Sequence, residues 1–284
     1  MPTSKLPTEL WQHILSFSDH PTMCALSKVC HKFAEIVVER NEFVLGKCRI
    51  QGVTLPSDEL LSLSFAHPQF PLDIPMWMTH NPFGARIYPR LASVRGYDVD
   101  EKDGKMQFAT SSTQSGVAER RVIDLSTEHE SIGIPKWIID GVRPQVTVTG
   151  LLQRRDGSAV GPRVTATMGV WRLDGIQNDH TFLSKEPIRT DLCTLESGAD
   201  RRVMQVDIDP TAISRGHTAV GGSDGLRVVL NSNCDVRFSD VGIHFELPDK
   251  VPPAFPAWLA ESRELRESRA TTAGTARLEG LFGL

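Results

Sequence analysis

Short segments in which apolar and polar side chains alternate occupy residues 105–248, and they constrain the fold of this chain more than any other feature. The clearest is 241–247, where Val, Ile, Phe and Leu at odd positions alternate with Gly, His and Glu. A period of two is that of a β-strand with one buried face. Further strands are indicated at 145–153, 164–171, 203–208 and 226–230, and at 121–125, where the alternation is broken and burial on both faces is possible. Turn-forming residues lie at 155–157, 221–225 and 231–233. Many short strands with few helices predict an antiparallel β-sandwich.

The first forty residues have a different pattern, that of three short helices. Pro7 suits the first turn of a helix, where its missing N–H costs nothing, and Glu9 is favourably placed for the helix dipole. Apolar residues then recur at helical spacing in three groups: Leu10, Trp11, Ile14 and Leu15; Met23, Leu26 and Val29; Phe33, Ile36 and Val37. A unit this small buries too little surface to be stable alone. It either packs on the rest of the chain or presents an apolar face to a partner.

The length of 284 residues suits one small domain and one large one. A further helix is indicated at 57–65, and the five prolines in 68–89 exclude long regular elements there. We therefore predict an α+β multidomain chain, with a small N-terminal helical unit at 1–45, a helical and proline-rich linker at 46–80, the antiparallel β-sandwich at 81–250, and a C-terminal helix and tail at 251–284. The apolar face of that last helix, which we expect to dock on the sandwich, comprises Phe255, Trp258, Leu259 and Leu265.

Composition and charge narrow the class of partner. The formal net charge is -4 and both signs are mixed along the chain, which argues against a nucleic-acid-binding surface. No secretory signal is recognisable, and no apolar run approaches the ~20 residues that span a bilayer. Five cysteines at scattered spacings indicate buried free thiols in a reducing compartment, and neither a disulfide framework nor a zinc site. We expect no membrane partner and a cytoplasmic or nuclear location.

Several features of the sequence bear on catalysis and metal binding. The sequence has no GxSxG, Walker, GxGxxG or HExxH motif. The segment 221–225, with Ser223, is either a loop that carries a nucleophile or a plain turn, and the turn is favoured. Asp207 and Asp209 are either a metal pair or a solvated strand end, and the strand end is favoured. Trp137 and Trp171 could line a pocket, but sandwich cores commonly hold such rings. We predict a non-catalytic chain with no cofactor and no metal.

The N-terminal string LPTELWQHILSFSDHPTMCALSKVCHKFAEIV resembles an F-box, with its LPxEL start, its IL pair and its Leu-Ser-x-Val-Cys-x-x-Phe ending. The resemblance implies binding to the Skp-type helical adaptor that bridges F-box proteins to the cullin and its RING protein. The side chains that it places in the adaptor are Leu6, Pro7, Leu10, Ile14 and Leu15. Those that it expects to hold the helices together and complete the surface are Val29, Cys30 and Phe33. A helical hairpin packed on its own core is the other interpretation.

A second resemblance covers the sandwich. The segments 81–84, 108–112, 121–125, 203–207 and 225–229 occur in the order found in the F-box-associated domain, a jelly-roll sandwich known for binding N-glycans on misfolded glycoproteins. The plant phloem lectin domain has a related strand plan. Where glycan-binding members carry Trp and Tyr, this chain reads CDVRFSDVGIHF, and Phe238 is the one ring before the strand core. The resemblance implies target contacts within 233–240, from the charge of Arg237 and the ring of Phe238. The other interpretation is that these residues form an ordinary hairpin edge.

Three functions stay open at this point. The first is the substrate-recognition subunit of an SCF-type cullin-RING ubiquitin ligase, which holds an unknown and possibly glycosylated target near the conjugating enzyme and acts by proximity alone. The second is a lectin-like module that binds a glycan or glycoprotein, with an F-box that serves another assembly. The third is a sandwich-fold hydrolase with an unrecognised site.

Overall fold

A computed structural model of the chain describes residues 7–15, 18, 20–66, 70, 83–84, 86–102, 105–110, 121–128, 132–155, 164–177, 180–183, 187–196, 199–213, 225–232, 235–262 and 264. Its N-terminal part is helical and its larger part is built from two antiparallel sheets. Among these residues, no helix combines the length and the apolar character needed to cross a membrane.

Four helices open the chain: α1 (Thr8–Leu15), α2 (His20–Leu26), α3 (His31–Ile50) and α4 (Asp58–Ala66). As the sequence predicts, α1 begins directly after Pro7, whose carbonyl accepts the first helical hydrogen bond, from Leu10 N at 3.1 Å. The C-terminal end of α3 is followed by Gly52, whose φ of 67° is the left-handed conformation that glycine adopts readily after a helix. The helix at 58–66 confirms the one expected at 57–65.

The helices α1, α2 and α3 have a small apolar core of their own. Its buried members are Leu15, Met23, Ile36 and Val37. At its margin, the rings of Trp11 and Phe33 meet edge to face, with centroids 4.9 Å apart. This contact packs α1 against α3 at the margin of the small core.

Eleven strands form the sandwich: β1 (Arg90–Arg95), β2 (Tyr97–Lys102), β3 (Lys105–Thr110), β4 (Arg121–Glu128), β5 (Gln145–Arg154), β6 (Val164–Gln177), β7 (His180–Leu183), β8 (Arg189–Leu195), β9 (Arg201–Ile208), β10 (Gly225–Ser232) and β11 (Val236–Glu246). The six-stranded sheet has the order β1-β4-β10-β6-β7, with β8 also paired to β6. The five-stranded sheet has the order β2-β3-β11-β5-β9.

The strand order is that of a jelly roll. When β1, β2 and β7 are set aside, the two sheets are β3-β11-β5-β9 and β4-β10-β6-β8, and successive strands cross between them in the double Greek-key manner. The six predicted strand segments lie in observed strands except for Leu247, which directly follows the end of β11, and the predicted β-sandwich is confirmed. Inward-facing side chains such as Val146 and Val148 of β5 and Val228 and Leu230 of β10 are fully buried between the sheets.

The helix at residues 255–262 docks on the sandwich, as predicted. Phe255 is buried and packs with Trp258 against the π-helical turn Ile138–Val142. Gly141 in that turn allows the close approach, since a Cβ there would lie 2.8 Å from a ring carbon of Trp258. Trp137, which precedes the turn, is buried beside Phe255, so the core interpretation of this tryptophan is correct.

The predicted linker contributes to the main core, which requires a revision of the domain boundaries. Leu45 and Cys48 of α3, together with Leu60 and Leu61 of α4, belong to the same apolar cluster as the inter-sheet residues. The boundary predicted at residue 45 therefore falls inside a continuous helix. Packing of these side chains makes the second half of α3 and all of α4 part of the sandwich domain, whereas sequence patterning had separated 46–80 from it.

Replacement of Leu60 with Ala tests this shared core. Leu60 is 0% exposed, so the variant should lose about 2–5 kcal/mol of the free energy of unfolding. Leu10→Ala is the matched control, because Leu10 is 47% exposed and a surface change of this kind costs within about 0.5 kcal/mol. Denaturant unfolding of the full chain, followed by tryptophan fluorescence, measures both. Equal stability of the two variants would contradict the shared core.

Candidate functional site

The helical unit exposes apolar side chains that lie in the F-box-like segment. Leu10 and Ile14 are one turn apart on α1 and are 47% and 42% exposed. Val29, between α2 and α3, is 66% exposed, and Pro7 and Cys30 are exposed as well. We call these five residues the helical apolar face. Leu6 lies outside the described residues.

Leu15 and Phe33 are shielded from solvent, whereas the other described adaptor-binding candidates are exposed. Leu15 is 1% exposed and lies in the small core with Met23 and Ile36, so its predicted insertion into a partner is corrected to an internal packing role. Phe33 is half-buried and holds α1 and α3 together through Trp11, the role expected for it. Val29 and Cys30 are exposed, like Leu10 and Ile14.

The cysteines divide by exposure. Cys24, Cys48 and Cys193 are buried free thiols, and burial raises the pKa of each of them. A raised pKa keeps a thiol protonated at neutral pH and therefore unreactive. Cys30 is free and exposed, against the expectation of burial. Cys24 also donates from its Sγ to the carbonyl of Phe65 at 3.5 Å, a contact between α2 and α4.

In the sandwich, the predicted target-binding pair points in two directions. Arg237 and Phe238 are adjacent on β11, so their side chains leave opposite faces of the sheet. Arg237 is half-buried on the outer face. Phe238 is 0% exposed and packs beside Tyr97, with ring centroids 6.0 Å apart. The predicted aromatic contact of Phe238 with a target is therefore corrected: its ring is part of the inter-sheet core.

A bulge in β11 explains this difference. Pairing with β5 is interrupted between Ser239 and Gly242, and Asp240 within the bulge has a φ of 52°. Odd positions face inward after the bulge, as in Val241 and Ile243, but even positions face inward before it. One inserted residue reverses the sides on which all earlier side chains lie. If the alternation of 241–247 continued unbroken towards the N-terminus, the Phe238 side chain would face outward. The extra residue in the bulge turns it inward, into the core.

The carboxylate of Asp240 is held by three donors from neighbouring segments. Lys105 Nζ donates to Oδ1 at 2.9 Å, Tyr88 Oη donates to the same oxygen at 3.0 Å, and Arg86 Nη1 pairs with Oδ2. The Lys105 hydrogen bond is the largest cause of a lowered pKa for Asp240. The stem of Arg86 lies over Gly242, where a Cβ would be 2.2 Å from its Cγ. We call Arg86, Tyr88, Lys105 and Asp240 the Asp240 cluster.

The acidic pair considered for metal binding does not converge. Asp207 accepts from Thr147 Oγ1 at 3.0 Å and from Gln205 Nε2 at 3.1 Å. Asp209 accepts from the backbone N–H and the hydroxyl of Thr211, which lowers its pKa. Within the described residues no group of three or more His, Cys, Asp or Glu side chains could hold a metal ion. Ser223 lies outside them.

Comparison with known families identifies the N-terminal unit. Residues 3–42 match the F-box-like family model, and this range contains α1, α2 and the first half of α3. The helical apolar face is therefore a surface of an F-box-like unit, and the resemblance read from LPTEL and the Val-Cys ending is confirmed. No curated protein matches the chain.

Among the solved structures similar to the chain are several carbohydrate-binding modules. The xylan-binding CBM22-1 domain of Paenibacillus barcinonensis Xyn10C has 10% identity, with a TM-score of 0.27 over 58% of this chain and 99% of that one. A non-crystalline cellulose specific CBM28 module has 12% identity, with a TM-score of 0.30 over 58% of this chain and 96% of that one.

Phe238→Ala and Arg237→Ala should differ sharply in stability. Loss of a ring that is 0% exposed leaves a cavity between the sheets and should cost about 3–5 kcal/mol. Arg237→Ala, one residue away on the outer face, should stay within about 0.5 kcal/mol of the wild type. Chemical denaturation monitored by circular dichroism measures both. A Phe238→Ala variant as stable as Arg237→Ala would contradict the buried position of the ring.

Asp240→Asn tests the Asp240 cluster. Asn tolerates the left-handed backbone, so the change removes the charge and little else. A carboxyl with a lowered folded-state pKa stabilises the fold above its unfolded pKa of about 3.9 and loses that contribution as the pH falls through the folded value. The variant should therefore melt below the wild type at pH 7, and the gap should close in acid. Asp98→Asn, at an exposed site on β2, is the control; a gap that is absent at pH 7 or constant with pH contradicts the assignment.

Proposed function

We propose that this protein is the substrate-recognition subunit of an SCF-type cullin-RING ubiquitin ligase. The observation that carries the proposal is the helical apolar face: an F-box-like unit, matched over residues 3–42, that leaves Leu10, Ile14 and Val29 exposed to water. A unit with its own small core has no internal need for these exposed side chains, and apolar anchors of this kind are what a helical adaptor buries. The partner expected at this face is a Skp-type adaptor and, through it, the cullin and the RING protein.

The attachment of the F-box-like unit to the sandwich supports the same function. The 20 residues of α3 span about 30 Å and begin in the small core. Its second half is fixed in the sandwich core by Leu45 and Cys48. A captured target would then be held at a set distance from the adaptor, so the chain contributes proximity and orientation and no reacting group. We place this activity in the cytoplasm or the nucleus.

The double variant Leu10→Asp, Ile14→Asp tests adaptor binding. Truncation of one anchor at an interface centre typically costs ~2 kcal/mol or more, so two buried carboxylates should weaken adaptor binding by more than about 100-fold. Both positions are exposed, so the melting temperature should change little. Val203→Asp is the matched control, since Val203 is 63% exposed on β9, away from the helices.

The measurement is capture of purified Skp-type adaptor by the full chain, quantified by biolayer interferometry. The wild type and Val203→Asp should bind alike, and the double variant should not bind. Adaptor binding by the double variant at the wild-type level would refute the proposal. It would leave the second possibility, a lectin-like module, in which the F-box-like unit serves another assembly.

A further inference from the structure

Three of the four sheet edges formed by the described strands carry features that oppose further strand pairing. At the β9 edge of the five-stranded sheet, the backbone N–H of Gln205 donates to Asp191 Oδ2 of the neighbouring β8 at 3.3 Å. One edge of the six-stranded sheet is shared by β8, which lies against β9, and by β7, which has four residues. At its other edge, the register of β1 shifts between Leu91 and Ser93. Covering, shortness and bulging are the usual means by which edge strands avoid pairing with another chain.

The fourth edge is β2, and it is regular and open. It pairs with β3 in unbroken register from Tyr97 to Lys102, it contains no proline, and its residues after Tyr97 are all exposed. In an antiparallel pair alternate residues bond to the partner strand, so the other N–H and C=O groups of β2 point away from β3. Within the part of the chain that the structure describes, no strand pairs with that side. An extended segment could therefore add to the sheet there.

The side of the sandwich beside β1 and β2 exposes apolar side chains that face inward. Val99 of β2 is paired with Phe108, and Leu91 of β1 is paired with Leu125; both partners are buried between the sheets. Residues paired directly across two strands lie on the same face, so Val99 and Leu91 face inward as well. They are nevertheless 44% and 40% exposed. Since a single residue joins β1 to β2, both lie on the same side of the sandwich, and a strand added beside β2 would cover them.

The outward face of β2 is acidic. Asp98 and Asp100 alternate with the inward-facing Val99, so their carboxylates lie on the outer face of the five-stranded sheet. Neither carboxylate has an ion-pair partner among the described residues, in contrast to Asp240, which pairs with Lys105. Glu101 adds a third exposed carboxylate to the same strand. The charge at this edge is therefore available to side chains of an added strand.

The acidic charge decides which kind of strand fits. Like charges opposite each other on neighbouring strands are destabilising, so a second copy of β2 or any other acidic strand is disfavoured here. Opposite charges at these positions stabilise the pairing. The inward side needs apolar groups, because Val99 and Leu91 would otherwise stay exposed to water. A matching strand is thus apolar on one face and basic on the other, which in a strand means strict alternation.

We propose that β2 binds an extended segment of a partner protein by strand addition, and that the segment alternates apolar residues with lysine or arginine. Its backbone extends the five-stranded sheet, its apolar side chains cover Val99 and Leu91, and its basic side chains lie beside Asp98 and Asp100. The role of this edge in capturing a ligase target rests on the proposed function, which it deepens by naming the class of target segment. The binding itself does not depend on that function.

The first test is fluorescence anisotropy of the full chain with a labelled nonapeptide of alternating valine and lysine. Two further nonapeptides are the controls: one in which glutamate replaces every lysine, and one with the same composition but with its valines and lysines in separate blocks. The alternating valine–lysine peptide should bind about 10-fold more tightly than either control, because it alone places charge on one face and apolar groups on the other.

The double variant Asp98→Lys, Asp100→Lys should reverse the preference. Its affinity for the valine–lysine peptide should fall about 10-fold, and its affinity for the valine–glutamate peptide should rise. Both positions are exposed, so the melting temperature should change little. Asp200→Lys, Asp249→Lys is the matched control: it makes the same change in net charge at exposed positions outside β2 and should bind as the wild type does.

Hydrogen exchange followed by mass spectrometry tests whether the backbone takes part. Strand addition supplies acceptors to the N–H groups on the free side of β2, so a saturating valine–lysine peptide should slow exchange in the segment 97–102. The segment 201–208, which forms the opposite edge of the same sheet, should exchange at an unchanged rate. Binding through side chains alone would leave both segments unchanged.

Four outcomes would overturn the proposal: the valine–lysine peptide does not bind, the block peptide binds equally well, the Asp98→Lys, Asp100→Lys variant keeps the wild-type preference, or segment 97–102 gains no protection. A dimer of the chain that this double variant abolishes would assign the edge to a second copy instead. Leu10→Asp, Ile14→Asp should bind the peptide as the wild type does. Failure of peptide binding with intact adaptor capture leaves the ligase proposal standing, and loss of adaptor capture leaves the β2 site standing.

Discussion

The packing of α3 against two cores is the contact on which the arrangement of this molecule depends. Val37 lies in the small helical core and Cys48 lies in the sandwich core. They are eleven residues apart, which is about three helical turns of 3.6 residues, so both side chains leave the same side of the helix. One continuous helix thereby forms part of both hydrophobic cores. No flexible linker is needed between the F-box-like unit and the sandwich, and α4 strengthens the junction through Leu60 and Leu61.

The two outer faces of the sandwich differ in how completely their polar side chains are hydrogen-bonded. In the Asp240 cluster, one carboxylate has Arg86, Tyr88 and Lys105 as donors, and the cluster fixes a bulge whose backbone conformation is unusual for a residue other than glycine. Such a network is stabilising because its groups are satisfied. On the outer face of the six-stranded sheet, Asp124 and Arg227 form an ion pair, with Arg227 Nε 3.2 Å from Asp124 Oδ1, whereas Asn231 Oδ1 is buried without a hydrogen-bond partner.

Sequence patterning predicted the strands well because both sheets bury one face, as in β5, where Val146, Val148 and Leu152 are buried. The expectation that Phe238 contacts a target came from the position of the family's ring-bearing segment. Alternation could not correct it, because parity is lost at the bulge between Ser239 and Gly242, and a bulge is visible only when strand pairing is known. The single signal in the sequence is Asp240, a residue type that tolerates the left-handed conformation.

The helical unit illustrates a different limit of prediction. Leu10, Trp11, Ile14 and Leu15 form a broad apolar stripe, and both its sides satisfy helical periodicity. Only packing against α2 and α3 decides that Leu15 turns inward, with Trp11 against Phe33, while Leu10 and Ile14 stay exposed. The stripe is wider than the small core can cover.

That excess of apolar surface has a consequence for how the molecule can work. A helical unit that kept all its apolar side chains inside would be more stable alone but would offer nothing to a partner. Because α3 anchors the unit to the large core through Leu45 and Cys48, part of its stability comes from the sandwich. The helical unit can therefore tolerate exposed apolar side chains near the start of α3, because the second half of α3 is fixed in the sandwich core. The rigidity that would place a target at a fixed distance from the adaptor arises from that same anchoring.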